Sequence, residues 1–109
     1  MNAKRVVIDL DGTICEEMPT FERCMAQPKQ CVVTTLNELK QHGYFIIIYT
    51  ARGWAEYHMT KAWLEQHDIP HDLLLCGKPI YDYWIDDRAF DTGDWNEIRA
   101  RLCGGVTND

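Results

Sequence analysis

The residues with the greatest chemical potential in this 109-residue chain are carboxylates. Asp9 and Asp11 lie two apart in Asp9-Leu10-Asp11-Gly12-Thr13, and Asp86 and Asp87 are adjacent. Between the two pairs come Thr50, which ends an apolar run, and Lys78 in Gly77-Lys78-Pro79. An aspartate held against a phosphoryl group can attack phosphorus and form an aspartyl-phosphate, and a carboxylate two residues on can protonate the leaving oxygen. A lysine offsets negative charge on nucleophile and phosphoryl alike, while a threonine hydroxyl and nearby backbone N–H groups bind phosphoryl oxygens. Four carboxylates brought to one place repel one another unless a divalent cation neutralises them. An all-oxygen set with few histidines suits Mg²⁺ rather than zinc.

Each residue also has an ordinary explanation. A D-x-D-G-T string can be a strand followed by a turn, threonine is common at strand ends, and a lone lysine is usually solvated. The weight comes from all of them standing in one order. Asp87 can cap a turn or pair with Lys78 instead of binding a metal, which makes Asp86 the better ligand. Arg52 and Trp54 follow Thr50 closely enough to touch a leaving group, although arginine is usually solvated and tryptophan usually packs. His67 and His71 are four apart, but Pro70 breaks the helix that would align them as metal ligands. Cys15, beside the candidate site, is expected to be an unreactive thiol.

The elements must bring these residues together. Val6-Val7-Ile8 reads as a buried parallel strand delivering Asp9 at its carboxyl end. From Gly12 to Pro28 no period holds, so a loop or small flap is expected. Val32, Val33, Leu36 and Leu39 have helical spacing, with Pro28 before them and Gly43 as the stop. Tyr44 to Tyr49 is almost continuously apolar and reads as a strand running into Thr50. Ala55, Met59, Ala62 and Trp63 predict the buried face of a second helix, which Pro70 ends by about His67. Leu73-Leu74-Leu75 and Tyr81 to Ile85 read as two further strands, the latter delivering Asp86 and Asp87. Asp94 and Glu97 form a capping box for a last helix over Trp95, Ile98 and Leu102. Alternating strands and helices imply a mainly parallel sheet with right-handed crossovers and helices on both faces. Ligands then bind beyond the carboxyl ends of the strands, where all four polar clusters fall.

The segment from Asp9 to Thr13, a threonine after a hydrophobic strand, a lysine and then an Asp-Asp pair resemble the four motifs of the haloacid dehalogenase superfamily. The resemblance implies a three-layer α/β/α Rossmann-like fold, with Asp9 as nucleophile and Asp11 as general acid/base. It implies phosphate contacts from Thr50 and Lys78, with Ala51 and Arg52 in the same stretch. It further implies a Mg²⁺ site made by Asp9, the backbone carbonyl of Asp11, Asp86 and Asp87. More narrowly, Ile48 to Gly53, Gly77-Lys78-Pro79 and Ile85-Asp86-Asp87-Arg88 are similar to small capless members associated with surface-polysaccharide or sugar-phosphate metabolism. The gap from Thr13 to Val32 is too short for an inserted cap, and the cysteine and histidine cluster of zinc-bearing sugar-bisphosphate phosphatases is missing. Capless members act on large or polymeric substrates or close the site by oligomerising, so a homo-oligomer that completes the site is one expectation.

Size and composition set the remaining bounds. One domain over residues 1–103, with a flap over 12–28 and a tail over 104–109, accounts for the length. With 46% hydrophobic and 26% charged residues, the chain is an ordinary globular one. A net charge of -6 gives no general attraction to nucleic acid, so none is expected as a partner. No signal-peptide core or stretch of roughly 20 apolar residues is present, which makes a soluble cytoplasmic protein the expectation. Five cysteines without a C-x-x-C pair signal neither a disulfide framework nor a zinc ribbon. The function that follows is a Mg²⁺-dependent phosphomonoesterase acting on a small phosphorylated metabolite. A phospho-receiver domain and a catalytically idle binding module are the alternatives. The phosphorylatable aspartate on the first strand, with the Asp-Asp pair after Lys78, favours the hydrolase.

Overall fold

The structure, a computed structural model, describes residues 4–90 and 95–104. Three short strands form a parallel sheet in the order β1 (Arg5–Ile8), β2 (Phe45–Tyr49) and β3 (Leu73–Leu75). In its register Val6 faces Ile46, Ile8 faces Ile48, and Ile48 faces Leu74. Partnered residues of parallel strands point to the same side, so these five share one face. Ile8, Ile46, Ile48 and Leu74 are buried there, and Val6 packs against the same cluster.

The crossovers explain why this face is closed. From β1 to β2 and from β2 to β3 the chain steps the same way across the sheet, and right-handed connections put both intervening helices on one side. Helix α1 (Val32–Gln41) contributes Val32, Leu36 and Leu39 to the core, and α2 (Tyr57–Gln66) contributes Trp63 and Leu64. Complete burial of each such side chain is worth about 1.5–3 kcal/mol. The opposite face is more open, with Val7 60%, Phe45 37% and Leu73 39% exposed. A third helix, α3 (Trp95–Leu102), packs on α1, and the Tyr44 hydroxyl donates to the Leu102 carbonyl at 2.8 Å.

The C-terminal ends of α1 and α2 follow their sequence signals, whereas α1 starts at Val32, four residues beyond Pro28, with Cys31 before it at φ +72°. Gly43, at φ +85°, stops α1 one residue beyond its C-cap His42. Beyond α2, Asp68 takes φ +55° before Pro70. The expected flap is ordered: a 3₁₀ helix spans Thr20–Met25, and Cys15 bridges both Asp11 and Pro28.

Two expectations are corrected. The buried stripe of α2 is Thr60, Trp63 and Leu64, while Ala55 and Ala62 are exposed and Met59 is half-buried. A polar Thr60 belongs inside because its hydroxyl has a buried partner, described below. The second correction concerns Tyr81 to Ile85, which is not a strand. Tyr83 and Ile85 are 87% and 96% exposed, and the sheet has three strands among the described residues. A run of aromatic and apolar residues supplies a strand's composition but not its ladder. This run packs on itself, with the Tyr81 and Trp84 rings 5.0 Å apart. Asp94 of the expected capping box lies outside the described residues, as does the tail from 105 onward. The observed architecture remains α/β and Rossmann-like, with a parallel sheet and no cap among the described residues.

Candidate active site

Strand β1 hands directly to the candidate nucleophile. Leu10 is fully buried, and its carbonyl accepts hydrogen bonds from the N–H groups of Thr13 (3.1 Å) and Ile14 (2.8 Å). The chain therefore turns tightly around Leu10, leaving Asp9 and Asp11 on either side of an anchored residue. Gly12 completes the turn at φ +86°, a conformation L side chains rarely adopt. Its carbonyl accepts from Lys29 Nζ at 2.7 Å, tying the flap's end to the turn.

Both oxygens of Asp9 are engaged. Oδ1 accepts from Lys78 Nζ at 2.7 Å, and Oδ2 accepts from the Thr13 hydroxyl at 3.1 Å. One-third of the Asp9 side chain is exposed, so it stays reachable from solvent. Lys78 is held by backbone rather than by its own strand: its N–H donates to the Thr50 carbonyl and that of Gly77 to the Arg52 carbonyl, while Thr50 N–H donates to Leu75. The loops after β2 and β3 are thus stitched together. Gly77 sits at φ +80°, and a Cβ there would lie 3.1 Å from the Trp54 indole nitrogen. Conformation and space both demand glycine.

Thr50 and Arg52 occupy the loop after β2. Thr50 is 1% exposed, and its Oγ1 accepts from the Arg52 backbone N–H at 3.1 Å, leaving its own O–H to donate. Ala51, between them, is exposed. Arg52 was expected to face substrate, but the structure turns it inward, 2% exposed. Its Nε and Nη2 donate to Asp11 Oδ2 and Oδ1 at 2.9 and 2.8 Å, and Nη1 donates to the Thr60 hydroxyl at 2.9 Å. Burial opposes the Arg52 charge, yet the bonds to Asp11 outweigh it and hold the guanidinium above its usual range. The physical reason for the correction is that Asp11 is a poorly solvated carboxylate needing a cation, and Arg52 reaches it with its whole fork.

The thiol of Cys15 lies 3.9 Å from Asp11 Oδ1. Burial, followed by the Asp11 carboxylate, pushes it up to about 11, which disfavours the reactive thiolate at neutral pH. That agrees with the sequence expectation.

The second acidic pair is not gathered in the same way. Asp86 and Asp87 are both exposed. Asp86 Oδ1 accepts from the Arg88 N–H at 2.9 Å and Oδ2 from the Trp84 indole at 3.5 Å, bonds that hold its carboxyl below the usual range. Asp87 pairs with Arg88 at 3.8 Å. Asp86 nevertheless lines the same cleft of about 700 Å³ as Asp9, Thr13 and Lys78, along the free edge of β1. Among the described residues no three acidic, histidine or cysteine side chains are grouped to hold a metal ion. The oxygen donors suit Mg²⁺ in kind, but their arrangement leaves the ligand set incomplete. Asp9 and Asp11 are paired separately, Asp9 with Lys78 and Asp11 with Arg52.

Sequence reasoning did not find Thr13, Lys29 or Thr60 as supports of the site. The one available signal was a threonine at position 60 on the same helical stripe as Trp63 and Leu64, where an apolar residue would be usual.

Comparison with solved structures agrees with this architecture. The chain is similar to a structural-genomics target from Vibrio cholerae at 28% identity and a TM-score of 0.74, over 93% of this chain and 97% of that one. It is also similar to a chain of the Pnkp1/Rnl/Hen1 complex, with 27% identity and a TM-score of 0.60, and to one of the Pnkp1/Rnl/Hen1 RNA repair complex, with 25% and 0.58. In those two cases it covers 92% of its own length but only 33% and 31% of theirs. No curated protein matches it. A protein-family model described as the LNS2 domain of PITM 1-3 matches residues 6–89. With most of its length matched, the chain belongs to the LNS2 domain family, whose fold is that of the haloacid dehalogenase-like phosphatases.

Proposed function

We propose that this chain is a phosphomonoester hydrolase in which Asp9 attacks phosphorus to form an aspartyl-phosphate. The observation that carries the proposal is the 2.7 Å contact between Lys78 Nζ and Asp9 Oδ1, in a pair that solvent can reach. An ammonium placed there offsets the negative charge that builds up where the nucleophile meets the phosphate. As negative charge accumulates on the phosphoryl oxygens, the same cation stabilises it without having to move. Thr13 fixes the other oxygen of Asp9, and the Thr50 hydroxyl supplies a further donor. Asp11 protonates the leaving oxygen, then takes the proton of the water that hydrolyses the intermediate. Mg²⁺ belongs to the proposal as the cofactor, held by Asp9, the Asp11 backbone carbonyl and Asp86. When bound it would neutralise charge on the incoming phosphate.

A small phosphate ester such as a sugar phosphate is the proposed substrate, and the cytoplasm the proposed location. The test is phosphate release from p-nitrophenyl phosphate and a panel of sugar phosphates, with Mg²⁺ and with EDTA. Asp9→Asn is expected to abolish it with unchanged thermal unfolding in EDTA; wild-type turnover by this variant would overturn the mechanism. A stable phosphorylated Asp9 without ester turnover would point instead to a receiver-like domain.

A second reading is favoured by one observation. The cleft beside Asp9 is lined by Lys4, Arg5, Lys78, Arg88 and Arg101 together with aromatic rings, in a chain of net charge -6. Cations interleaved with aromatic rings suit a nucleic-acid strand, and one of the similar solved chains comes from a complex named for RNA repair. The substrate on this reading is a terminal phosphate of an oligonucleotide. Adding 3′- and 5′-phosphorylated oligonucleotides to the same panel separates the two readings.

A further inference from the structure

We infer that Arg52 is a positioning residue that sets the plane of Asp11 for proton transfer, and that Thr60 on α2 in turn holds Arg52. The inference rests on the proposed phosphatase reading. Three of the five guanidinium N–H directions are occupied: two by the separate oxygens of Asp11, at 2.9 and 2.8 Å, and one by Thr60 Oγ1 at 2.9 Å. The Arg52 side chain is 1% exposed against 16% for Asp11. Arg52 is therefore walled off, while the carboxylate it grips remains open on one side. Of the two side chains, only that of Asp11 keeps contact with solvent.

Two-point attachment fixes the carboxylate plane as a single bond would not. Each Asp11 oxygen keeps a lone-pair direction free of Arg52, and the fork decides where those directions point. In the first step the Asp9 carboxylate bonds to phosphorus, the ester P–O bond breaks, and its electron pair goes to the leaving oxygen, which takes a proton from Asp11. In the second step a water oxygen bonds to phosphorus, its proton passes to the Asp11 carboxylate, and Asp9 is released. Both transfers need the same Asp11 oxygen near the reacting atom. The chain Thr60–Arg52–Asp11 transmits that placement from the middle of α2, an element with no contact to the phosphoryl site of its own.

The leaving group provides the test. An alkyl phosphate such as β-glycerol phosphate needs a proton as its P–O bond breaks, whereas p-nitrophenolate leaves without one. Because kcat/KM reports events up to leaving-group departure, Arg52→Lys and Arg52→Gln are expected to lower it at least tenfold more on the alkyl ester than on p-nitrophenyl phosphate. Lysine does not rescue because it lacks the fork. Thr60→Val, which leaves the Asp11 contacts in place, is expected to shift the same ratio in the same direction by a smaller factor. It also carries the test if the Arg52 variants fail to fold by thermal unfolding. Equal losses on both esters would show a substrate contact or a purely structural role and overturn the inference, as would an unchanged ratio in folded Thr60→Val. Should the wild type release phosphate from neither ester, the phosphatase reading itself falls.

Discussion

Lys78 Nζ donates to Asp9 Oδ1 at 2.7 Å and so joins the loop after β3 to the end of β1, with the lysine 10% and the aspartate 33% exposed. The cation is more buried than the carboxylate it serves. Its backbone is fixed by Thr50, and its ammonium lies over the Tyr81 ring, 5.5 Å from the centroid. An ammonium so placed is oriented before any phosphate arrives.

Removing it is therefore expected to damage catalysis far more than folding. Lys78→Ala should lower kcat/KM on p-nitrophenyl phosphate by about 10²–10³, the usual cost of losing one preorganised electrostatic group. Its stability should change by no more than about 1 kcal/mol, since the pair is partly solvated. Steady-state rates beside a urea titration measure both, and wild-type activity in Lys78→Ala would remove Lys78 from the site.

The metal makes a separate prediction. Mg²⁺ should raise the unfolding temperature of the wild type, by a free energy of about 2.7 kcal/mol at a hundredfold excess over Kd. Asp9→Asn and Asp86→Asn should abolish the shift. Asp87→Asn should keep it, because Asp87 is turned to Arg88 and does not line the cleft. Calorimetric scans with and without Mg²⁺ decide the matter; loss of the shift in Asp87→Asn alone would reverse the two assignments.

The flap is pinned. Arg23 Nη1 donates to both Glu56 oxygens, at 2.6 and 2.9 Å, and the Trp63 indole donates to the Ala26 carbonyl at 2.9 Å. Arg23→Ala is expected to speed protease cleavage between Glu16 and Met25 several-fold. A double-mutant cycle with Glu56→Ala should give a coupling of about 0.5–1 kcal/mol. Identical cleavage rates in variant and wild type would show that the flap is held by other means.

Asp72 carries the pH dependence. Its Oδ2 accepts from Lys40 Nζ at 2.6 Å and from the Ile46 N–H at 2.8 Å, clasping α1, β2 and β3. Partial burial raises its carboxyl, but Lys40 and the Ile46 N–H outweigh that and leave it below its usual value. A depressed folded-state value means stability that is present above the unfolded value and lost as pH falls through the folded one. Asp72→Asn is thus expected to cost about 1 kcal/mol at pH 7, a difference that shrinks as pH drops below about 4. Urea titrations of both proteins across that range check it, and a pH-independent difference would refute the linkage.

Much of the site was legible in the sequence because its residues stand where strands end. An apolar β-branched run can be read from Val6 to Ile8 and from Phe45 to Tyr49, and the first polar residue after each, Asp9 and Thr50, must then lie at the sheet's carboxyl edge. The turn at Gly12 was visible in Asp9-Leu10-Asp11-Gly12-Thr13, and that glycine takes positive φ. Local pattern was enough for these positions, since burial of one strand face determines which residues come next.

Pairing was decided by the tertiary structure. Nothing in the order of residues shows that Arg52 turns from the cleft to Asp11, because that choice depends on the low solvation of Asp11 and on Thr60 arriving from α2. Nor does the aromatic and apolar run from Tyr81 to Ile85 make a strand, since a ladder needs a partner edge as well as a suitable composition. The opposite signs at Asp9, Asp11, Lys78 and Arg52 were present in the sequence. Which cation neutralises which carboxylate followed only from distance and burial, because electrostatic energy depends on separation in space and on local solvation.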